Sequence, residues 1–246
     1  WQGKFAPAIE KATEGISQAS DVLYRGAESF LHRVRGVAWL DLGDLAKAAD
    51  DLTRSLELAE ATENAADLGP VRYFCARLCL RRGQPEPALD HLRAGLRASR
   101  VNDPEHYAPA LRATMARALA STDNVTRAEG ILTDLEGQLE DLPLPRRTQV
   151  QINMAAAWVA LGHPDEAHPL LRTAIRVATS RGFNAWALKA GILLCEVAEG
   201  EEAERARIDA SRLAREILAG LPAESAGSFR RQPGFARLWV MMDDEG

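Results

Sequence analysis

A small residue followed five positions later by alanine recurs along the chain, at Gly3/Ala8, Gly43/Ala48, Gly83/Ala88 and Gly162/Ala167. The alanines stand 40, 40 and 79 residues apart, and Asp123/Ala128 divides the long gap with Asp in place of Gly. A weaker copy, Glu201/Ala206, follows after a further 39 residues. A repeat of this length is one supersecondary unit, too small to bury its own apolar face. Neighbouring units must therefore stack into a quasi-linear array.

The patterning around each anchor is helical. Upstream lie Val34 to Leu42 and Met154 to Leu161; downstream lie Ala48, Leu52, Ser55 and Leu56, and again Ala167, Leu171, Ala174 and Ile175. Apolar residues at i, i+4, i+7 and i+8 form one stripe of an α-helix. No segment alternates with period two between turn dipeptides, so strands are not expected. Asp103-Pro104, Gln84-Pro85-Glu86 and His163-Pro164-Asp165-Glu166 carry caps, prolines and acids that open helices. The anchor glycine permits a tight turn between the helices of a pair. The expectation is an all-α array of about eleven helices over residues 1–220, with turns near Gly43, Gly83, Asp123, Gly162 and Gly200. Trp39 and Trp158 fall in equivalent, buried slots.

The order of residue sizes within each unit resembles the tetratricopeptide repeat. Gly36, Trp39, Ala48, Leu52 and Ser55 follow that order, as do Ala155, Trp158, Ala167, Leu171 and Ala174. Ala76, Cys79, Ala88, Leu92 and Gly95 match with a thiol in the bulky slot; Ala116, Leu119, Ala128 and Leu132 match until Leu135 replaces the small residue. The last unit (Leu194, Ala206, Ala210, Leu213) is degenerate. The resemblance implies a right-handed superhelical solenoid of antiparallel helix pairs, with units longer than usual for the family, as in bacterial regulatory ATPases and transcription activators. Trp1-Gln2-Gly3 reads as the end of a first helix, so the array starts mid-repeat, inside a larger parent protein. Residues 221–246, with Phe229, Phe235, Leu238, Trp239 and Val240, are expected to fold back as capping helices over the last pair.

Charge and chemistry narrow the function. The net charge of −5 gives no general attraction to nucleic acid or anionic membrane. No stretch is apolar enough to span a bilayer, and the first residues show no signal peptide. Three cysteines are sparse enough for a reducing cytosol, and the excess of arginine over lysine, with abundant alanine, points to a bacterial source. Cys75 and Cys79 stand i, i+4 but on apolar repeat positions, and His163 and His168 are five apart and cannot share a helix face. Neither pair makes a metal site. No phosphate-binding loop or nucleophile elbow is present. No catalytic residue and no cofactor are assigned.

What remains is arginine. The resemblance puts the first helices of successive pairs on the concave surface, and this places Arg33, Tyr73, Arg77, Arg81 and Arg117 there. Arg77 and Arg117 are one repeat apart and should meet on neighbouring helices. A plain solvated helix face would also show arginines; the functional reading is a groove that takes an acidic peptide or carboxylates through forked hydrogen bonds. Chaperone-tail clamps of the family also need asparagines, for which Asn153 is the one candidate, so that specificity is not assigned. The expected function is a cytoplasmic, non-catalytic protein–protein interaction scaffold, part of a larger bacterial signalling protein. Its partner is a protein or peptide, or another domain of the same polypeptide. The alternative is a sensor region gating an ATPase, kinase or caspase-like protease.

Overall fold

The computed structural model describes residues 2–232 together with Gly234, Phe235 and Leu238. Every regular element among them is helical. Helix α1 (Phe5–Asp21) stands alone, followed by the pairs α2 (Arg25–Leu42) with α3 (Leu45–Ala61), α4 (Ala65–Arg81) with α5 (Pro85–Ser99), and α6 (Ala108–Ala120) with α7 (Val125–Glu136). A 3₁₀ turn, Leu139–Asp141, leads to α8 (Leu144–Leu161) with α9 (Pro164–Ser180), then α10 (Asn184–Val197) with α11 (Gly200–Ala219), and last α12 (Ala223–Arg230). The eleven helices expected over residues 1–220 are α1 to α11. Trp1, Trp239 and Val240 lie outside the described residues.

One turn geometry is used throughout. In each turn the anchor residue is left-handed, with φ of 83° at Gly43, 70° at Gly83, 57° at Asp123 and 80° at Gly162. The next amide then reaches back five residues: Asp44 N–H to Trp39 O at 3.0 Å, Gln84 to Cys79 at 2.9 Å, Asn124 to Leu119 at 3.0 Å and His163 to Trp158 at 2.9 Å. This closure satisfies carbonyls that the helix end leaves open. In the last unit the left-handed residue is Gly200, one position before the Glu201/Ala206 anchor, because α10 ends at Val197 with an extended Ala198. The turns between pairs close in the same way, Tyr24 N–H to Ala19 O (2.8 Å), Asn64 to Ala59 (3.1 Å) and Phe183 to Ala178 (2.8 Å). Two of these force side-chain-bearing residues, Leu23 and Glu63, to φ of 53° and 48°.

The helix-opening signals mostly work as written: α5 and α9 begin at Pro85 and Pro164. Asp103-Pro104 does not open a helix. Asp103 instead accepts from the amides of Tyr107 (2.7 Å) and Ala108 (2.8 Å), and α6 starts only at Ala108 because His106 is left-handed, with φ 53°.

Packing follows the small residues. Ala48, Ala88, Ala128 and Ala167 are fully buried, as are Leu52, Leu92, Leu132 and Leu171 beside them. A Cβ on Gly36 would stand 3.0 Å from Leu52 Cγ, and one on Gly95 would stand 2.8 Å from Leu111 Cδ2. The backbones approach at a distance only small residues allow. Ala8 is half-buried because no first helix precedes α1 among the described residues. The register weakens at Leu135, the bulky residue in a small slot: α7 packs on α6 and scarcely touches α8.

The two tryptophans differ. Trp158 is 7% exposed and meets His163 edge-on, whereas Trp39 is half-exposed under the Lys47 ammonium, 4.3 Å above its ring. The curvature of the array is strong enough to bring its ends together. A Cβ on Gly3 would touch Ile217 of α11, and α12 crosses to α2.

Two outcomes are expected from urea unfolding. Glu63→Gly relieves a left-handed backbone and should raise stability by about 0.5–1 kcal/mol, whereas Gly162→Ala, where the added methyl meets nothing, should lower it by about 1 kcal/mol through the backbone alone. Trp158→Ala should cost about 3–5 kcal/mol, and Trp39→Ala distinctly less.

Candidate functional site

First helices contact first helices along the array (α2 with α4, α4 with α6, α8 with α10), so they form the inner, concave layer. The arginines singled out from the sequence lie on this layer but fall into three groups.

At the end nearest the inter-pair turns, Arg33 is buried. Its Nη2 donates to Glu105 Oε1 at 3.0 Å and lies 3.7 Å from Asp67 Oδ1. Arg146 of α8 completes this group, its guanidinium 3.6 Å above the Tyr107 ring and its Nε donating to Glu105 O at 2.9 Å. Burial raises the Asp67 carboxyl pKa, against Arg33, which lowers it. Arg33 is thus committed to holding α2, α4 and the α5–α6 connection together, and Arg146 ties α8 to the same connection.

In the middle, Tyr73 is buried and its hydroxyl accepts from Gln149 Nε2 (3.0 Å) and Asn153 Nδ2 (2.9 Å). Its ring packs on Phe74 and Tyr107, at centroid distances of 4.8 and 5.3 Å. The concave surface is therefore bridged from α4 to α8, and Asn153 is spent on this bridge.

At the other end lies a cationic chamber. Arg77, Arg81 and Arg117 converge there; burial lowers the pKa of Arg81 and Arg117, and the neighbouring Arg77 lowers both further. They are joined by two residues that sequence reasoning did not select. Asp41, in the last turn of α2, accepts from Arg77 Nη2 at 2.9 Å and from Lys189 Nζ of α10 at 2.6 Å. Burial alone would raise the Asp41 pKa, but Lys189 and Arg77 hold it at about 2. Lys189 itself is lowered to about 8, first by burial and then by Arg77, because one carboxylate cannot offset the cations around it. Four cations face Asp41 and, beside Arg117, Glu196. Arg117 is exposed and Arg81 half-buried.

The mouth of this chamber is partly covered by the chain's own C-terminal segment. Gln232 donates from Nε2 to Asp41 O at 2.8 Å and accepts from Arg81 Nη2 at 3.1 Å. Phe229, Phe235 and Leu238 are buried, and with Phe5, Leu188 and Ile217 the two aromatic rings enclose a small apolar space next to Asp41 and Lys189. The segment thus touches both the last pair and α2.

The other titratable residues are accounted for by packing. Cys75 sits in the core, where burial pushes its thiol pKa up to about 12. His163 and His168 go to different carboxylates, Glu129 at 3.2 Å and Glu202 at 2.8 Å. His32 bonds Asp51 through Nδ1 at 2.8 Å, with Arg35 on the same carboxylate. Among the described residues no helix is long and apolar enough to cross a membrane.

Fold and groove together define an α-solenoid built from helix–turn–helix units. Two segments, residues 69–94 and 148–173, match the tetratricopeptide repeat family, and they coincide with two of the units read from the periodicity. These two helix pairs are tetratricopeptide-type repeats. Among solved structures it is similar to a Rap protein complexed with Competence and Sporulation Factor, with 14% identity, a TM-score of 0.59 and coverage of 99% of this chain and 73% of that one. It also matches BtubC (BKLC) from P. vanneervenii, with 15% identity, a TM-score of 0.46 and coverage of 97% and 92% of the two chains. Pseudomonas aeruginosa PilF matches at 14% identity and a TM-score of 0.46, over 90% of this chain and 99% of that one. No curated protein sequence matches the chain.

The chamber's electrostatics can be read from stability against pH. The Asp41 contribution is present above the ordinary carboxylate pKa of 3.8 and is lost as pH falls towards about 2. For Lys189 the sign is opposite: between about 8 and 10.5 the unfolded chain holds a proton the folded chain has released, so stability rises with pH there. Asp41→Asn strands several cations and should cost about 3–5 kcal/mol at neutral pH, removing this acid-side loss. Lys189→Met should be milder, since Arg77 still pairs with Asp41, and should abolish the alkaline rise. Urea midpoints from pH 2 to 10 measure both.

Proposed function

We propose that the chain is a non-catalytic interaction scaffold whose cationic chamber receives an acidic segment of a protein partner. The observation that carries this reading is the gathering of Arg77, Arg81 and Lys189 around Asp41, with Arg117 beside Arg77 and exposed at the edge. A second carboxylate entering beside Arg81 and Arg117 would relieve that excess through forked, charge-assisted bonds. The Rap protein, whose fold this chain shares, was solved complexed with Competence and Sporulation Factor, which favours a binding role for the array. Arg33 and Tyr73 set the shape of the groove in this reading, and Arg77, Arg81 and Arg117 make the contact. We place the scaffold in the cytoplasm of a bacterium, as a region of a larger signalling protein. A gating role towards an enzyme of the same chain or complex is favoured by one contact: Gln232 of the C-terminal segment already occupies Arg81. Entry of a partner would compete with that contact.

The test is the affinity for a fluorescent hexaglutamate peptide, measured by anisotropy at low and moderate salt. Arg81→Ala/Arg117→Ala, with helicity unchanged, should weaken binding about 2–30-fold, and binding to the parent should weaken with salt. Equal affinity of parent and variant at both salts would overturn the reading.

A further inference from the structure

A second basic site lies away from the chamber, in a cleft between α8 and α9. Its walls carry Arg147 and Gln151 from α8 and Thr173, Arg176 and Arg181 from α9, over an apolar floor of Leu144 and Val177. The cleft encloses about 340 Å³. Its origin is the weak spot in the repeat. With the 3₁₀ turn intervening, α7 scarcely touches α8, and the α8–α9 edge is left open beside Glu140.

The three arginines are not equivalent. Arg147 is anchored, donating to Glu140 Oε2 (2.6 Å), to Glu140 O (2.5 Å) and weakly to Leu142 O (3.4 Å), while its buried Nε has no partner. Arg176 and Arg181 are exposed and, among the described residues, have neither an ion-pair nor a side-chain hydrogen-bond partner. This sets them apart from most arginines of the convex face, such as Arg172 with Glu202 (3.6 Å) or Arg205 with Glu201 (3.0 Å). Arginines at a helix C-terminus do complement its dipole, and Arg181 does so at the end of α9. That effect asks for one cation, and it gives no reason for three to share a cleft.

We propose that this cleft binds a phosphate monoester, the phosphorylated serine or threonine of a protein segment. The charge decides the class. Three guanidinium cations against the single carboxylate of Glu140 leave an excess of two, which a phosphate dianion neutralises and a carboxylate does not. Arg176 and Arg181 offer forked donors to tetrahedral oxygens, and the Thr173 hydroxyl and Gln151 amide add neutral donors. Leu144 and Val177 take the carbon side of the ester, so an esterified phosphate fills the cleft better than the free ion. The site is independent of the chamber around Asp41, and it gives the scaffold a contact switched by phosphorylation.

The experiment is calorimetric titration of the chain with a short phosphoserine peptide, its unphosphorylated counterpart and inorganic phosphate. The phosphopeptide should bind, and the unphosphorylated peptide should not. Arg176→Gln and Arg181→Gln should each weaken phosphopeptide binding by about tenfold. Arg172→Gln, on the same helix, should leave it unchanged. Arg81→Ala/Arg117→Ala should also leave it unchanged, which separates this site from the chamber. Both key side chains are exposed and unpaired, so circular dichroism should show every variant folded. Inorganic phosphate binding as tightly as the peptide, with the same loss in both variants, would keep the phosphate site and assign it to the free ion. Equal binding of phosphorylated and unphosphorylated peptides would overturn the proposal. So would loss in Arg172→Gln or in the chamber variant equal to that in Arg176→Gln.

Discussion

The close crossing of neighbouring helix backbones governs this molecule. Where Gly36 meets Leu52 and Gly95 meets Leu111, a methyl group would already press on the opposing side chain. Ala48, Ala88, Ala128 and Ala167 are buried completely for the same reason. Such contacts fix the spacing of neighbouring helices, and the left-handed turn beside each anchor fixes the angle within a pair. Because every unit repeats the same crossing and turn, small rotations add along the array. By the fifth complete pair they have brought α10 back to α2.

That return creates the groove and also limits it. Asp41 binds Lys189 across 148 residues of sequence, and Tyr73 is bridged by Gln149 and Asn153 from the facing wall. The concave face is thus divided. One end is an internal network around Arg33, Glu105 and Arg146; the other is a chamber whose cations exceed its carboxylates. An isolated buried carboxylate would be driven towards its neutral form, so the depressed pKa of Asp41 measures how strongly its cations act on it. The same cations act on one another, and Lys189, the least able to remain charged, gives way first.

Departures from the repeat mark where the structure becomes particular. After Leu135, the bulky residue in a small slot, a 3₁₀ turn separates α7 from α8, and the cleft beside Glu140 holds Arg147, Arg176 and Arg181. Leu23 and Glu63 take up left-handed backbone that glycine would adopt at less cost, because the closing bond from the following amide outweighs the local strain. His106 does the same and delays the start of α6 beyond the proline that marks a helix opening in the sequence.

Much of this was legible from the residues alone. The 40-residue period, the anchor pairs and the 3.6-residue stripes settled the helical class, the number of helices and the positions of the five turns within pairs. Those properties arise from interactions no more than one repeat apart. The meeting of Arg77 with Arg117 belongs to the same class, since equivalent positions of adjacent units must stack. Asp41, Lys189 and Gln232 could not be found this way, because their meeting depends on rotation accumulated over five units, a sum that no local pattern encodes. The burial of Arg33 and Tyr73 was hidden for the same reason: a first-helix position is open or sealed according to how far the opposite wall has curved towards it. Sequence determined which surfaces face inward, and tertiary structure decided, through the total curvature, which of them still meet solvent.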